Sequence, residues 1–247
     1  MRIFGTRKTR VIGIGGAALI AVSSLTATGA ATLAHGADVP AAAVEPVTSV
    51  VEPRALLASN PSLETKLLRP RDLGSGWSEI AVGDLVGKYG SKIAGAIAGA
   101  TVDPASCATG WKLPVGYESH AYRVFRKGSS SFGPYAGQLI ASFDTPRAAK
   151  AAISGVRARL TDCRRLKISA DIGSASVKIT PVKAGRKARF AYRIEADLGG
   201  LFDATGRVSV SRQGRVVSVV GAGALGTDQA SIKATAARAA VKAGRRL

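Results

Sequence analysis

The run "VVSVVGAGALGTDQASIKATAARAAVKAG", Val216 to Gly244, decides which fold this chain adopts. A β-branched apolar segment leads into Gly221, Gly223 and Gly226, with a helix-patterned segment behind them. Taken alone, this is the G-x-G-x-x-G fingerprint of a dinucleotide-binding turn. Such a turn belongs in the first βα unit of a parallel sheet, with an acidic residue about twenty positions on to hold a ribose. Here the last acidic residue is Asp228, directly behind the fingerprint. The segments before the run are joined by tight turns, as antiparallel neighbours are. The three glycines are therefore expected to form a flexible strand-to-helix corner where backbones pack closely, and no cofactor is expected.

Outward from that run, the alternation is strongest in "ARFAYRIEADL", Ala188 to Leu198. Phe190, Tyr192, Ile194, Ala196 and Leu198 alternate with Arg189, Ala191, Arg193, Glu195 and Asp197. That period of two belongs to a sheet with one wet and one buried face. Further runs of this kind are "SVKITPV" (Ser176–Val182), "TGRVSVSRQG" (Thr205–Gly214), "YESHAYRVFRKG" (Tyr117–Gly128) and "YAGQLIASF" (Tyr135–Phe143). The last two read as a hairpin, with Tyr122, Val124 and His120 on one face, and "SRQGRVV" reads as a tight hairpin turn.

Helices are expected between and after them. "DTPRAAKAAISGVRARLTDC" (Asp144–Cys163) has Thr145 or Asp144 as cap, Pro146 in its first turn and an apolar stripe of Ala149, Ala152, Ile153, Val156 and Leu160. "SLETKLLRPRDLGSGW" (Ser62–Trp77) reads as a short helix capped by Ser62 and ended by Pro70 and the Gly74/Gly76 pair. "DPASCATGW" (Asp103–Trp111) reads as one helical turn capped by Asp103 with Pro104 first. "DLVGKYGSKIAGAIAGA" (Asp84–Ala100) is a glycine-weakened helix or a loop. The C-terminal helix is capped by Thr227 or Asp228. Hairpins with helices inserted between them make an α+β fold, a single domain with an antiparallel sheet packed against helices.

The front end is different. Arg2, Arg7, Lys8 and Arg10 precede an uncharged stretch, Val11 to Ala34, with small-residue cleavage sites near Ala30 and Ala34. Residues 1–37 read as a signal peptide or a signal anchor; either exports the remainder of the chain. Residues 38–59, with three prolines and no hydrophobic period, read as a disordered tether, and 60–247 as the folded part. The whole 247-residue chain has a formal charge of +19; without those four leading cations, +15 remains from Asp38 onward. Such a field favours anionic partners. Export argues against nucleic acid and for a wall polymer or acidic lipid, while the plain alternative is a self-repelling soluble surface. A monomer is expected. In an oxidising compartment the two cysteines, Cys107 and Cys163, are most simply one disulfide, with two buried free thiols as the alternative.

No complete catalytic set is visible. His35 and His120 are the only histidines, so a two-histidine metal site is not available outside the leader. Glu195 and Asp197 share a strand face at a spacing glycosidase carboxylates use, but Arg193 and Arg207 nearby explain them as ion pairs. Trp77, Trp111 and Tyr122 are the candidate ligand-binding residues; the two tryptophans, placed in glycine-broken loops, are more readily explained as core plugs in a chain with few large apolar residues.

The order of motifs resembles a known family. "LLRPRDLGSGW" (Leu67–Trp77), "DPASCATGW", "LIASFDTPRAAKAAISGVRARLTDC" (Leu139–Cys163) and "GRVVSVVGAGAL" (Gly214–Leu225) with "ASIKATAARAA" behind it are similar to the actinobacterial PknH-like extracellular sensor domains. These occur as the outer parts of membrane serine/threonine kinases and as stand-alone exported proteins. The resemblance spans Pro61 to Leu247 and implies an antiparallel sheet backed by helices, a cleft for an extracellular ligand and no enzyme activity. The chain departs in having no kinase domain, no lipobox and one cysteine pair where kinase-linked relatives carry more, and no binding residue carries over by motif. The expected function is an exported, non-enzymatic sensor-like domain binding a small or polymeric ligand of the cell envelope. The alternatives are a basic wall- or lipid-associated protein without a pocket, and a secreted hydrolase using dispersed carboxylates.

Overall fold

The computed structural model describes residues 60–81, 100–107, 117–129, 133–170, 173–185, 188–197, 199, 203–226 and 229–247. The expected signal segment and tether, most of the Asp84–Ala100 stretch, Trp111 and the Thr227/Asp228 cap lie outside the described residues. In chain order the elements are α1 (Pro61–Glu64), α2 (Pro70–Leu73), β1 (Trp77–Ile80), β2 (Thr101–Asp103), a 3-10 turn (Ala105–Cys107), β3 (Tyr117–Lys127), β4 (Tyr135–Phe143), α3 (Pro146–Asp162), β5 (Arg165–Ala170), β6 (Gly173–Val182), β7 (Phe190–Asp197), β8 (Asp203–Gln213), β9 (Val216–Leu225) and α4 (Gln229–Arg246). The fold is α+β and mostly sheet. Among the described residues nine strands pair in the order β1-β3-β4-β9-β8-β7-β6-β5-β2, each pairing antiparallel.

The glycine run behaves differently from the expectation. Gly221 and Gly223 do not make a corner; they lie inside β9, opposite Gly137 of β4 and Gly206 of β8 respectively. Only Gly226, at φ 86°, marks the strand-to-helix turn, where a left-handed backbone suits a residue without Cβ. Main-chain pairing on both sides of β9 holds the glycines extended. The β8–β9 turn matches the expected hairpin: Gln213 pairs with Val216 across Gly214, at φ 56°.

The N-terminal segment also differs. The sequence predicts one helix from Ser62 to Pro70; two form. Asn60, not Ser62, caps α1, its Oδ1 accepting the Ser62 N–H at 2.9 Å. Pro70 opens α2 rather than ending a helix, because a first-turn proline has no N–H to leave unsatisfied. Trp77 starts β1 instead of sitting in a loop. Asp103 ends the short strand β2 rather than capping a helix, and the next turn is a 3-10 turn with a cis Asp103–Pro104 bond.

The two long helices lie on opposite faces of the sheet. Along β9, Val217 packs with the α3 residues Ala149, Ala152 and Leu160. Val220, Ala222 and Ala224 pack with Ile232, Ala236, Ala239 and Ala243 of α4. Odd and even positions of one strand point to opposite faces, so one element serves two cores. Thr145 caps α3 by accepting the Ala148 N–H at 3.1 Å. Cys163, directly after α3, is bonded to Cys107, with Cα atoms 5.8 Å apart, which ties the helix end to the 3-10 turn. On the other face α4 offers mostly alanine, so backbone and sheet approach closely.

Beneath α4, four polar side chains hold the N-terminal segment. Gln138 is buried; its Oε1 accepts the Leu68 N–H at 2.6 Å and its Nε2 donates to Ser218 Oγ at 3.0 Å. Arg123 donates to Leu68 O at 3.0 Å and Arg238 to Leu73 O at 3.1 Å. Arg246 donates to Leu67 O and to the Asp72 carboxylate. These bonds satisfy the main-chain groups of Leu67 and Leu68, in the link between α1 and α2, and the carbonyl of Leu73 at the end of α2. Leu67, Leu68 and Leu73 are then fully buried, each contributing on the order of 1.5–3 kcal/mol by removal from water.

Candidate functional site

The site begins with a bulge. In β3 the register slips between Tyr117 and Ser119. Without it Tyr117 and His120 would face opposite ways; the extra residue brings Tyr117, His120 and Tyr122 into one row on the α3 face. The Tyr117 and His120 rings meet edge to face at 5.6 Å, and the His120 and Tyr122 rings are stacked, 6.4 Å apart with 11° between their planes. Burial raises both tyrosine pKa values and lowers that of His120, keeping the row uncharged.

Across the sheet the row continues as an apolar strip. Tyr122 pairs with Leu139, which pairs with Val219; Val124 pairs with Gly137, Gly137 with Gly221, and Gly221 with Val208. All are half-buried. Gly137 and Gly221 leave the middle of the strip without side chains. A Cβ at Gly137 would lie 3.5 Å from Arg123 O, and one at Gly221 would lie 3.7 Å from Val208 Cγ2, both ordinary contacts. Packing alone does not require glycine at either position.

Two nitrogens on this strand are buried without a hydrogen-bond partner among the described residues: His120 Nε2 and Arg126 Nε. Both residues project to the same face as Tyr122 and Val124, which they flank. Six residues of strand put their Cα atoms about 20 Å apart. A buried donor or acceptor left unmatched costs roughly 1–3 kcal/mol, so two on one strip form a defined demand for polar atoms supplied from elsewhere.

The other candidates fall differently. Trp77 is 8% exposed and packs with Leu73, Phe125 and α4, on the face opposite Tyr122. Trp111 lies outside the described residues, so among the described residues Tyr122 is the member of the trio on the strip. Glu195 is paired within its own strand, Oε1 lying 3.4 Å from Arg193 Nε. Arg207 faces Arg193 across β7–β8 and donates to Lys183 O at 2.8 Å. A shallow cleft of about 360 Å³ lies away from the row, lined by Ala188, Arg189, Ser211, Arg212, Gln213, Gly244 and Leu247. Its Arg212 is occupied by Gly214 O at 2.8 Å, and the cleft brings neither aromatic rings nor orphaned atoms together. The row and its strip are the better site on chemical grounds. Sequence alternation finds His120, Tyr122 and Val124; it misses Tyr117, because a bulge leaves no mark in a period of two, and Arg126.

No protein-family model matches the chain. No curated protein matches it either. Among solved structures, the architecture is one already known from a bacterial extracellular domain. That domain belongs to PknH of Mycobacterium tuberculosis, with a TM-score of 0.50 and 14% identity over 74% of this chain and 94% of that one. The sheet-and-helix plan expected from the resemblance to PknH-like domains therefore holds at the level of fold. An uncharacterised protein of Mycobacterium smegmatis, the Rv0999 ortholog, is similar at a TM-score of 0.35 and 12% identity, over 59% of this chain and 77% of that one.

Proposed function

We propose that this protein is an exported, non-enzymatic, sensor-like binding module, with residues 60–247 as its folded unit outside the cytosol. Its ligand lies along the strip from His120 through Tyr122 and Leu139 to Arg126. The observation that carries this is a pair of buried nitrogens on one side of β3, unpartnered among the described residues, with aromatic and aliphatic surface between them. The fold likeness to an extracellular domain supports the location and the role. Such a strip suits an elongated small molecule with a flat or aliphatic body. A hydrogen-bonding group would meet His120, and an acidic or strongly accepting group would meet the Arg126 guanidinium. Orientation would come from these few polar contacts and affinity from the apolar body. No cofactor is needed for this role.

Anilinonaphthalene sulfonate, an anionic aromatic dye, is a direct probe. Saturable one-to-one binding to the folded protein is expected, weakened at least about tenfold by Tyr122→Ala and by Gly221→Val, which fills the strip's floor. A dye signal absent from the folded protein, or unchanged in both variants, would overturn the proposal.

A further inference from the structure

The outer face of α3 is a second, separate feature. Arg147, Lys150 and Arg157 are exposed and share one side of the helix with Ser154, away from the buried Ala149, Ala152 and Leu160; Thr161, next along that row, turns its hydroxyl to Arg157 O and lies 3.5 Å from Tyr192 Oη of the sheet. Over 17 residues the helix is about 25 Å long. No carboxylate among the described residues pairs with the three cations. Arg164, exposed directly after Cys163, extends the positive charge.

Helix stability does not account for this pattern. The first turn holds Arg147 and no acidic residue, although the partial positive charge of a helix N-terminus disfavours a cation there. At the C-terminal end Asp162 is disfavoured by the dipole, and Arg159 in the last turn is favoured by it. Arg147 and Lys150 are three apart, a repulsive spacing for like charges. The unfavourable terms therefore sit at Arg147 and Lys150, by dipole and by spacing, and an external anion there would relieve them. Between the cations lie only small or short side chains, Ala151, Ser154 and Ala158, so the helix can lie flat on a plane without inserting into it.

We infer that α3 is the docking face of this protein for an anionic lipid surface. Contact is through Arg147, Lys150 and Arg157, and the disulfide at Cys163 holds the helix end against the sheet as it docks. The inference goes beyond the ligand-binding role and does not rest on it, since it uses exposed cations of α3 and none of the residues of the strip. A flat array of cations with no groove to thread a chain favours a planar partner over a soluble polyanion.

The test uses the protein as recovered from producing cells and sedimentation with two vesicle types: phosphatidylcholine alone, and an equal mixture with phosphatidylglycerol. Binding is expected only to the mixed vesicles and is expected to fall with salt. Combining Arg147→Gln, Lys150→Gln and Arg157→Gln should weaken it about a hundredfold, at roughly fivefold per charge, with the melting curve unchanged. The matched control, Lys233→Gln, Lys242→Gln and Arg245→Gln on exposed positions of α4, should retain most of the affinity. If the triple α3 variant unfolds, the single Arg157→Glu variant takes its place and should lose at least about tenfold. Equal losses from both helices would mean that net charge, not α3, does the binding, and would overturn the inference. So would equal binding to neutral vesicles, or binding to a soluble polyphosphate chain but not to vesicles.

Discussion

Arg246 Nη2 lies 2.6 Å from Asp72 Oδ2, joining the last turn of α4 to the first turn of α2 across 174 residues of sequence. The same carboxylate oxygen accepts the Arg69 N–H at 2.7 Å, so one buried atom both caps α2 and anchors α4. Removing the arginine leaves that carboxylate buried without its cation. Arg246→Ala should cost about 2–4 kcal/mol, the usual penalty for breaking a buried pair reduced for the partial exposure of the guanidinium. Urea unfolding measures it directly, and a loss below about 0.5 kcal/mol, the scale of an exposed pair, would mean the contact is incidental.

The disulfide closes a loop with a sequence separation of 56. Replacing Cys107 and Cys163 together with alanine should lower stability by about 4 kcal/mol from unfolded-state entropy, with loss of sulfur packing added. The urea midpoint should fall while the slope rises, because the unfolded chain expands once it is uncrosslinked. An unchanged midpoint would refute a stabilising role.

Alanine on α4 is a fit, not a default. Ala239 and Ala243 are fully buried against Trp77, Phe125 and Ala222. Ala239→Leu, which lowers helix propensity only slightly and adds volume where there is none, should destabilise by about 1–3 kcal/mol. Ala237→Leu, at an exposed position of the same helix, should be near neutral. Thermal melting of the two variants side by side separates packing from propensity.

His120 makes stability depend on pH. Its pKa is lowered in the folded state by burial, so the unfolded chain takes up the proton first as pH falls. Stability from this residue is complete above the unfolded value of about 6.5 and declines as pH drops toward the folded value. The stability difference between wild type and His120→Phe should therefore shift against the wild type on going from neutral to mildly acidic buffer. Parallel curves across that range would show that the imidazole is not desolvated.

The strongest elements are legible in the sequence because a single period governs them. β7 alternates cleanly since Phe190, Tyr192 and Ile194 face one core and Arg193 faces water, and α3 carries its cap, its proline and its stripe in sequence. The strands that escape such a reading are β1, β2 and β5, the two edges and the neighbour of one edge. At three to six residues they offer too few positions to show a period. Ala191 shows a second limit: it occupies the polar side of the alternation yet is buried. The site is half legible for the same reason. Alternation places His120 and Tyr122 together, whereas Tyr117 and the orphaned nitrogens depend on a bulge and on burial, which only packing decides.

The facing glycines have a mechanical consequence. Gly137 opposes Gly221, and Gly223 opposes Gly206, on three adjoining strands. At the Gly137–Gly221 pair neither residue carries a side chain, so that pairing offers the least resistance to bending and makes a line of easy creasing beside the aromatic row. Filling the crease would stiffen the sheet about the very line where a bound molecule would lean.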